Sequence, residues 1–482
     1  MRPPTKAPRG TCDGPAAFRQ PTCDLTGPPR VASGDSPGSR PGTRENPAGS
    51  PPAPAAPPRT TAPRTAAPRA GGHRLGLGQG TALLVGAVLG PGVLALPRLA
   101  ADAAGPASVL AWAGLLALSV PVALTFAVLG ARFPGGGGVA AFAARAFGPA
   151  ASVVVGWWFY FSIPIGVLAG ALIGAQYVGE VLGLGSGGTP AVAVMLLTAA
   201  FAANHAGLRV SGRLQLVLTC LLALLLVVAV LVAAPHIRAA GFTPFAPHGW
   251  AGVGHAAGVL FFAFVGWEAA SHLSGDFADP RRDLPRATAL TLLVAGVLYL
   301  ALAVTTVGVL GAGAATAAVP LAALLGHGLG PAAGPAAAAA AVLLSFGAVN
   351  TYIAGAARLG VTLAREGALP RRLATGAAAG RGLALPAVLT AGSAAITVAF
   401  ALDLDTLMRV TSACLAAVTF AGCAAATRLL SGRGRWTAAV ATVFTVVVLL
   451  SCGAYLAVPA CLAAVAALTR PGGRWTTGYT RV

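Results

Sequence analysis

The sequence predicts an all-α integral membrane protein with twelve transmembrane helices, and three observations carry that prediction. Hydrophobic residues make up 56% of the chain and charged residues 9%, more apolar surface than a soluble fold can bury. Apolar runs near the ~20 residues that cross a bilayer recur from residue 79 to residue 469. Arginines punctuate these runs mainly on alternate sides.

Residues 1–78 are rich in Pro, Ala, Gly, Ser, Thr and Arg, with few large apolar side chains. Such a segment cannot bury a core and reads as a disordered cytoplasmic tail. It has no apolar stretch of the kind a signal peptide needs. Its basic residues could rest on anionic lipid, although a passive extension is the simpler reading. The transporter domain then runs over 79–470, followed by a short cytoplasmic tail, 471–482. The twelve spans fall at about 79–100, 107–131, 150–180, 189–206, 212–234, 251–274, 286–312, 332–358, 384–402, 405–429, 436–451 and 453–469. Residues 132–149 read as a hinge and a short interfacial helix between the second and third spans, and 317–331 as a short outer helix.

With the N-terminus inside, Arg132, Arg145, Arg209, Arg213, Arg281, Arg282, Arg286, Arg358, Arg365, Arg371, Arg372 and Arg381 lie in inner segments, as do Arg428, Arg433, Arg435, Arg470, Arg474 and Arg481. Only Arg238 lies clearly outside, with Arg409 just inside the tenth span and Arg98 within the first. This bias places both termini in the cytoplasm of a multi-pass protein. The net charge of +19 is explained by that distribution and by the tail, so nucleic acid is not an expected partner. Lys6 is the only lysine, and no GKS/T follows Gly135–Gly138, which excludes a phosphate-binding loop there. Seven scattered cysteines without a CxxC spacing predict no disulfide framework and no metal site. No cofactor is indicated.

Two spans are interrupted. The first contains Gly86, Gly90, Pro91, Gly92 and Pro97. Pro91 has no N–H to donate, and the glycines weaken the helix around it, so the helix should open near Gly90–Gly92. Span six carries Gly266 next to Trp267 and Glu268, the one acidic residue well inside a span. Backbone bared at that depth must be buried in protein or line a cavity, and paired broken helices mark the binding site of secondary carriers. The half-helix after Gly92 offers N–H groups to a carboxylate, and the half-helix ending near Gly266 offers carbonyls to an ammonium. Val88, Leu89, Phe261, Phe262, Val265 and Trp267 would then form an uncharged wall, suited to a neutral apolar ligand.

These residues resemble a known family. Gly-Ala-Val-Leu-Gly-Pro-Gly-Val-Leu-Ala-Leu-Pro (86–97) resembles the substrate loop of amino acid–polyamine–organocation permeases, and Phe-Phe-Ala-Phe-Val-Gly-Trp-Glu (261–268) resembles their span-six motif. Phe264–Leu273, Asp276–Ala287, Gly137–Phe142, Ile163–Gly166 and Asn350–Leu359 are most similar to bacterial L-methionine/branched-chain amino acid exporters. The resemblance implies a LeuT-like fold, with five-helix repeats over 79–234 and 251–429 in inverted orientation and two further helices over 436–469. It implies a substrate carboxylate at Gly90 and Gly92, an ammonium at carbonyls near Val88, Phe262 and Val265, and Phe262 as an aromatic gate. Pro91 departs from the Ser or Thr usual there, which leaves the carboxylate to the amides of Gly92 and Val93. Arg98 is a second departure.

The resulting expectation is proton-coupled export of a neutral hydrophobic amino acid across a bacterial plasma membrane. Its alternative is an importer or exchanger, or a polyamine carrier, of the same fold. Glu268 is either the proton carrier or a helix anchor. His272, one turn on, is either a relay or an interfacial residue. Asn350 and Tyr352 either line the path or tie helices together. Trp157–Phe161 reads as packing or lipid-facing. An embedded enzyme is disfavoured because no HExxH or GxSxG occurs, and a channel because its ring of polar residues is missing. The oligomeric state is left open.

Overall fold

A computed structural model describes residues 75–468, apart from 135–137, 186, 208–211, 265, 269, 271–272, 331, 366 and 371–380; the side chains of 212–213 and 381–382 are also outside the described set. Contacts group Gly71–Val482 into one unit. Among the described residues the regular structure is helical, apart from one isolated parallel bridge between Leu75 and Phe277.

Helix α1 runs Leu77–Val88. A single 3₁₀ turn, Pro91–Leu94, follows, and then α2, Leu96–Ala104. The sequence explains this break. Gly90 is extended, Pro91 starts the new turn where a missing N–H costs nothing, and Pro97 does the same within the first positions of α2. Gly105, at φ +59°, turns the chain into α3, Ser108–Arg132. Next come the short α4, Gly138–Phe147, and the long α5, Pro149–Leu182, then α6, Gly188–His205, and α7, Gly212–Ala233.

The second interruption follows α8, Gly249–Leu260, which tightens into a 3₁₀ turn over Phe261–Phe264 and ends at Gly266. Gly266 has φ +128°, and a Cβ there would come within 2.5 Å of the Ala87 carbonyl oxygen. Only glycine combines that conformation with so close a backbone approach. The later helices are α9, Pro280–Leu310; α10, Pro320–Leu329; α11, Ala333–Arg365; α12, Arg381–Ala399; α13, Leu404–Leu429; α14, Arg433–Ser451; and α15, Ala457–Leu468.

Among the described residues, seven segments are long and apolar enough to cross a membrane: Leu96–Arg132, Pro149–Leu182, Leu214–His236, Pro280–Ala314, Ala333–Arg365, Leu404–Leu429 and Arg433–Ser451. Several of the other expected spans are shorter apolar helices, among them Leu77–Val88, Gly249–Phe264, Leu383–Ala399 and Gly453–Leu468. The two breaks leave the pieces Leu77–Val88 and Gly249–Phe264 below the crossing length. Large apolar side chains such as Leu231, Leu293, Val297 and Val443 point outward, as expected of a multi-pass protein whose solvent is lipid.

Helices α5 and α11 pack on each other through small residues. Gly156, Gly170 and Gly174 of α5 lie where an added Cβ would meet Leu363, Val349 and Ser345 of α11. Small residues let backbones approach, which is the main source of helix association when both lipid and side chains are apolar. The result is a rigid wall opposite the two broken helices.

Candidate functional site

The two interruptions meet. Gly266 packs on Ala87 and Val88 at the end of α1. Across the other side of the break, a Cβ on Gly92 would fall 2.6 Å from the Phe262 ring. Each break frees backbone groups that a continuous helix would pair, and the fold supplies partners for several of them. Tyr299 of α9 donates its hydroxyl toward the Val88 carbonyl at 2.8 Å and lies 3.2 Å from that of Ala263. Tyr177 of α5 donates to the Leu94 carbonyl at 3.0 Å. The Gly90 N–H turns back to Val88 O at 2.9 Å, and the Gly266 N–H donates to Glu268 Oε2 at 3.0 Å.

A cavity of about 60 Å³ lies at this junction. Val88, Gly90, Gly92 and Val93 line it from the first break, and Phe262, Ala263 and Glu268 from the second. The opposite wall is Phe159, Ser162, Ile163 and Gly166 of α5, with Val349 and Tyr352 of α11 and Thr411 of α13. A larger cavity of about 420 Å³ shares Gly90, Phe159, Glu268 and Tyr352 and extends past Leu83, Gln215, Leu273 and Arg358. The small chamber is apolar apart from Glu268, the bared backbone and a few hydroxyls. Glu268 is the carboxylate common to both cavities and is 6% exposed.

The structure sorts the residues expected from sequence into three groups. Val88, Gly90, Gly92, Val93, Phe262, Glu268 and Tyr352 line the small chamber. Leu89 and Gly266 face the larger cavity. Phe261 and Trp267, expected in the pocket wall, instead line a separate crevice with Leu115 of α3 and Val448 of α14. The 3₁₀ turn explains this: it rotates Phe261 away while keeping Phe262 inward. Asn350 is also turned away, and the Asn204 amide Nδ2 donates to its Oδ1 at 2.6 Å, so Asn350 ties α6 to α11. Val265 and His272 lie outside the described residues.

Sequence reasoning missed the far wall. Phe159, which hydropathy alone places in packing or against lipid, borders both cavities. The signal available was the small-residue spacing of Ser162, Gly166 and Gly170, one turn apart on α5, which marks one helix face. Tyr299 had no sequence signal, because nothing local marks a tyrosine whose partners are 211 and 36 residues away.

Away from the chamber, Arg409 of α13 pairs with Asp405 and donates to the His255 carbonyl of α8 at 2.9 Å. This joins α13 to the half-helix that precedes the second break. No group of three or more metal-ligating side chains occurs among the described residues.

Comparison with known proteins bears on the same region. The sequence pattern of the family described as "Amino acid permease" matches residues 75–471. The chain is 35% identical over 392 residues to the uncharacterized amino acid permease YecA of Bacillus subtilis, covering 80% of this chain and 92% of that one. It is 39% identical over 231 residues to the L-methionine/branched-chain amino acid exporter YjeH of Escherichia coli, covering 47% of this chain and 54% of that one. It is 27% identical over 248 residues to the branched-chain amino acid permease BcaP of Bacillus subtilis, covering 48% and 53%.

Proposed function

Because the chain belongs to the amino acid permease family, we propose that it is a secondary carrier of neutral hydrophobic amino acids that works by alternating access. The methionine, leucine, isoleucine and valine type fits best. The observation that carries this reading is the junction of two interrupted helices at a small apolar chamber. The zwitterion's carboxylate would meet the Gly92 N–H at the start of the turn Pro91–Leu94, since Pro91 has no N–H and the Val93 N–H donates to Gly90 O at 3.3 Å. Its ammonium would meet carbonyls at Val88 and around Phe262–Val265. The apolar side chain would lie against Phe262, Phe159 and Ile163. Among the described residues lining the small chamber, Glu268 is the one charged side chain, so a cationic amino acid or polyamine fits less well.

The direction we propose is export, coupled to proton entry. The names of the relatives YjeH and BcaP, one an exporter of methionine and branched-chain amino acids and the other a branched-chain permease, support the substrate class; YjeH supports the direction. Glu268 borders both the chamber and the wider cavity, which suits a proton carrier, with His272 as its relay. The wider cavity runs toward Arg358, a residue on the arginine-rich side assigned to the cytoplasm, so this conformation is read as inward-facing. The same reading takes the fold as twelve helices, with inverted repeats over 79–234 and 251–429 and two added helices over 436–469. It places the tails 1–78 and 471–482 in the cytoplasm of a bacterial cell and the helices in its plasma membrane.

The test is counterflow in proteoliposomes with a panel of labelled amino acids, with and without a pH gradient. Saturable leucine or methionine exchange, accelerated by a proton gradient in the wild type but not in Glu268→Gln, is expected. Flux that neither saturates nor shows counterflow would rule out a carrier.

A further inference from the structure

Two arginines converge on one ring at the end of α3. The guanidinium carbon of Arg132 lies 5.8 Å from the centre of the Phe133 ring, and that of Arg145 on α4 lies 4.9 Å from it. Phe133 packs on Phe142 of α4, with 6.5 Å between ring centres, and Phe142 is buried. A third arginine, Arg428 at the end of α13, lies 4.7 Å from the centre of the Phe147 ring and donates to the Ala146 carbonyl at 3.2 Å. All three arginines are exposed. The start of α14 brings Arg433 and Arg435 to the same edge, since a Cβ on Gly434 would lie 3.9 Å from Val128 of α3, one turn before Arg132.

No carboxylate of these helices answers that charge. α3, α4 and α14 contain no Asp or Glu, and the one in α13, Asp405, stands at its opposite end and pairs with Arg409. Among the described residues no other ion pair occurs. Like charges drawn to one ring repel each other, and an anion from outside the chain relieves that repulsion. A guanidinium over a ring gives the ring its face and keeps its N–H fork free in its own plane, an arrangement that suits phosphate oxygens. The surroundings select the anion. α3 and α14 are both long and apolar enough to cross a membrane, so Arg132 and Arg433 at their ends mark one membrane face. α4 is a short amphipathic helix that buries Val139, Phe142 and Ala143 and exposes Arg145 and Phe147. Trp436 of α14 is 76% exposed. Arginines beside exposed aromatic rings at that level meet lipid headgroups.

We propose that the ends of α3, α4 and α13 form a docking site for an anionic phospholipid, whose phosphate lies between Arg132 and Arg145 beside Phe133. Its acyl chains run along the exposed Val128 of α3 and Val440 and Val443 of α14. A zwitterionic phospholipid fits less well, because its own cation faces the arginines. The site rests on the membrane-spanning helices and not on the carrier reading.

The experiment measures the melting temperature of the purified full-length protein in mixed micelles of a neutral detergent with phosphatidylglycerol or with phosphatidylcholine of the same acyl chains. Phosphatidylglycerol is expected to raise it further than phosphatidylcholine, with a concentration dependence that gives an apparent affinity. Arg132→Gln with Arg145→Gln should weaken that affinity about thirtyfold, at about fivefold for each arginine. Arg281→Gln with Arg282→Gln removes the same charge from exposed arginines at the start of α9 and should leave the affinity within about twofold. Equal loss in both double variants overturns the site, since charge alone would then explain it. A rise no larger with phosphatidylglycerol than with phosphatidylcholine overturns it too, as does the same rise with inorganic phosphate at matched concentration, which would make the occupant a free anion. If Arg132→Gln with Arg145→Gln does not purify folded, Phe133→Leu decides the matter. It keeps both charges and removes the ring that aligns them, and the affinity should fall about threefold, on the scale of one exposed cation–π contact; an unchanged affinity overturns the proposal.

Discussion

Replacing Gly266 with alanine probes the junction directly. Its φ of +128° is a conformation that L-residues avoid, and the new Cβ would lie 2.5 Å from the Ala87 carbonyl oxygen and 2.9 Å from its carbon. Both neighbours are backbone of α1, so no rotamer change relieves the clash. Strain at an unfavourable φ costs about 1–3 kcal/mol and overpacking another ~1–3 kcal/mol, giving on the order of 2–6 kcal/mol. Gly254→Ala is the matched control on α8. That glycine has ordinary φ and open space around its Cβ position, so alanine there should stabilise by about 0.4–1 kcal/mol through lost backbone freedom. The assay is thermal unfolding of the purified protein in detergent, paired with leucine exchange in liposomes. Gly266→Ala should melt well below wild type and lose exchange, while Gly254→Ala should melt at or above wild type and keep it. If both variants melt within about 1 °C of wild type, a shift much smaller than several kcal/mol would produce, the close contact between the two breaks is not real.

Other outcomes follow from the same geometry. Gly166 lines the chamber, with Thr411 3.3 Å from its would-be Cβ; Gly166→Leu should fill the space and shift exchange from leucine toward alanine, read from competition with labelled substrate. Asn204→Ala leaves the Asn350 carbonyl oxygen without the donor it has at 2.6 Å and should cost about 1–3 kcal/mol, with a double-mutant cycle against Asn350→Ala recovering part of the loss. Asp403 caps α13 by accepting the Thr406 N–H at 2.9 Å. Partial burial pulls its carboxyl up, but the Thr406 hydroxyl and amide, with the Arg409 charge, outweigh that and hold it below the usual carboxylate range. A depressed folded value contributes stability above the unfolded pKa of about 3.9 and loses it as the pH falls through the folded one. Asp403→Ala should therefore lower the melting temperature at neutral pH, at a cost of about 0.5–2 kcal/mol, and the gap to wild type should close in acid.

The sequence by itself determined the solvent, the helical class and the positions of the two breaks. Each of these follows from local chemistry. Apolar runs of bilayer length need lipid, Pro91 between two glycines cannot continue a helix, and Glu268 beside Gly266 is too costly to be accidental at that depth. The side chains adjoining the breaks in sequence were mostly legible for the same reason, down to Phe262 and Gly92. Tertiary structure alone decided which way those side chains turned and what faced them. The 3₁₀ turn at Phe261–Phe264 sends Phe261 to one side and Phe262 to the other, a rotation that hydropathy cannot encode. Phe159 came to border the cavities and Tyr299 to serve the freed carbonyls only when helices distant in sequence closed on the breaks; for Tyr299 the reason is that such carbonyls, in a membrane, find their donors among packing partners rather than in water.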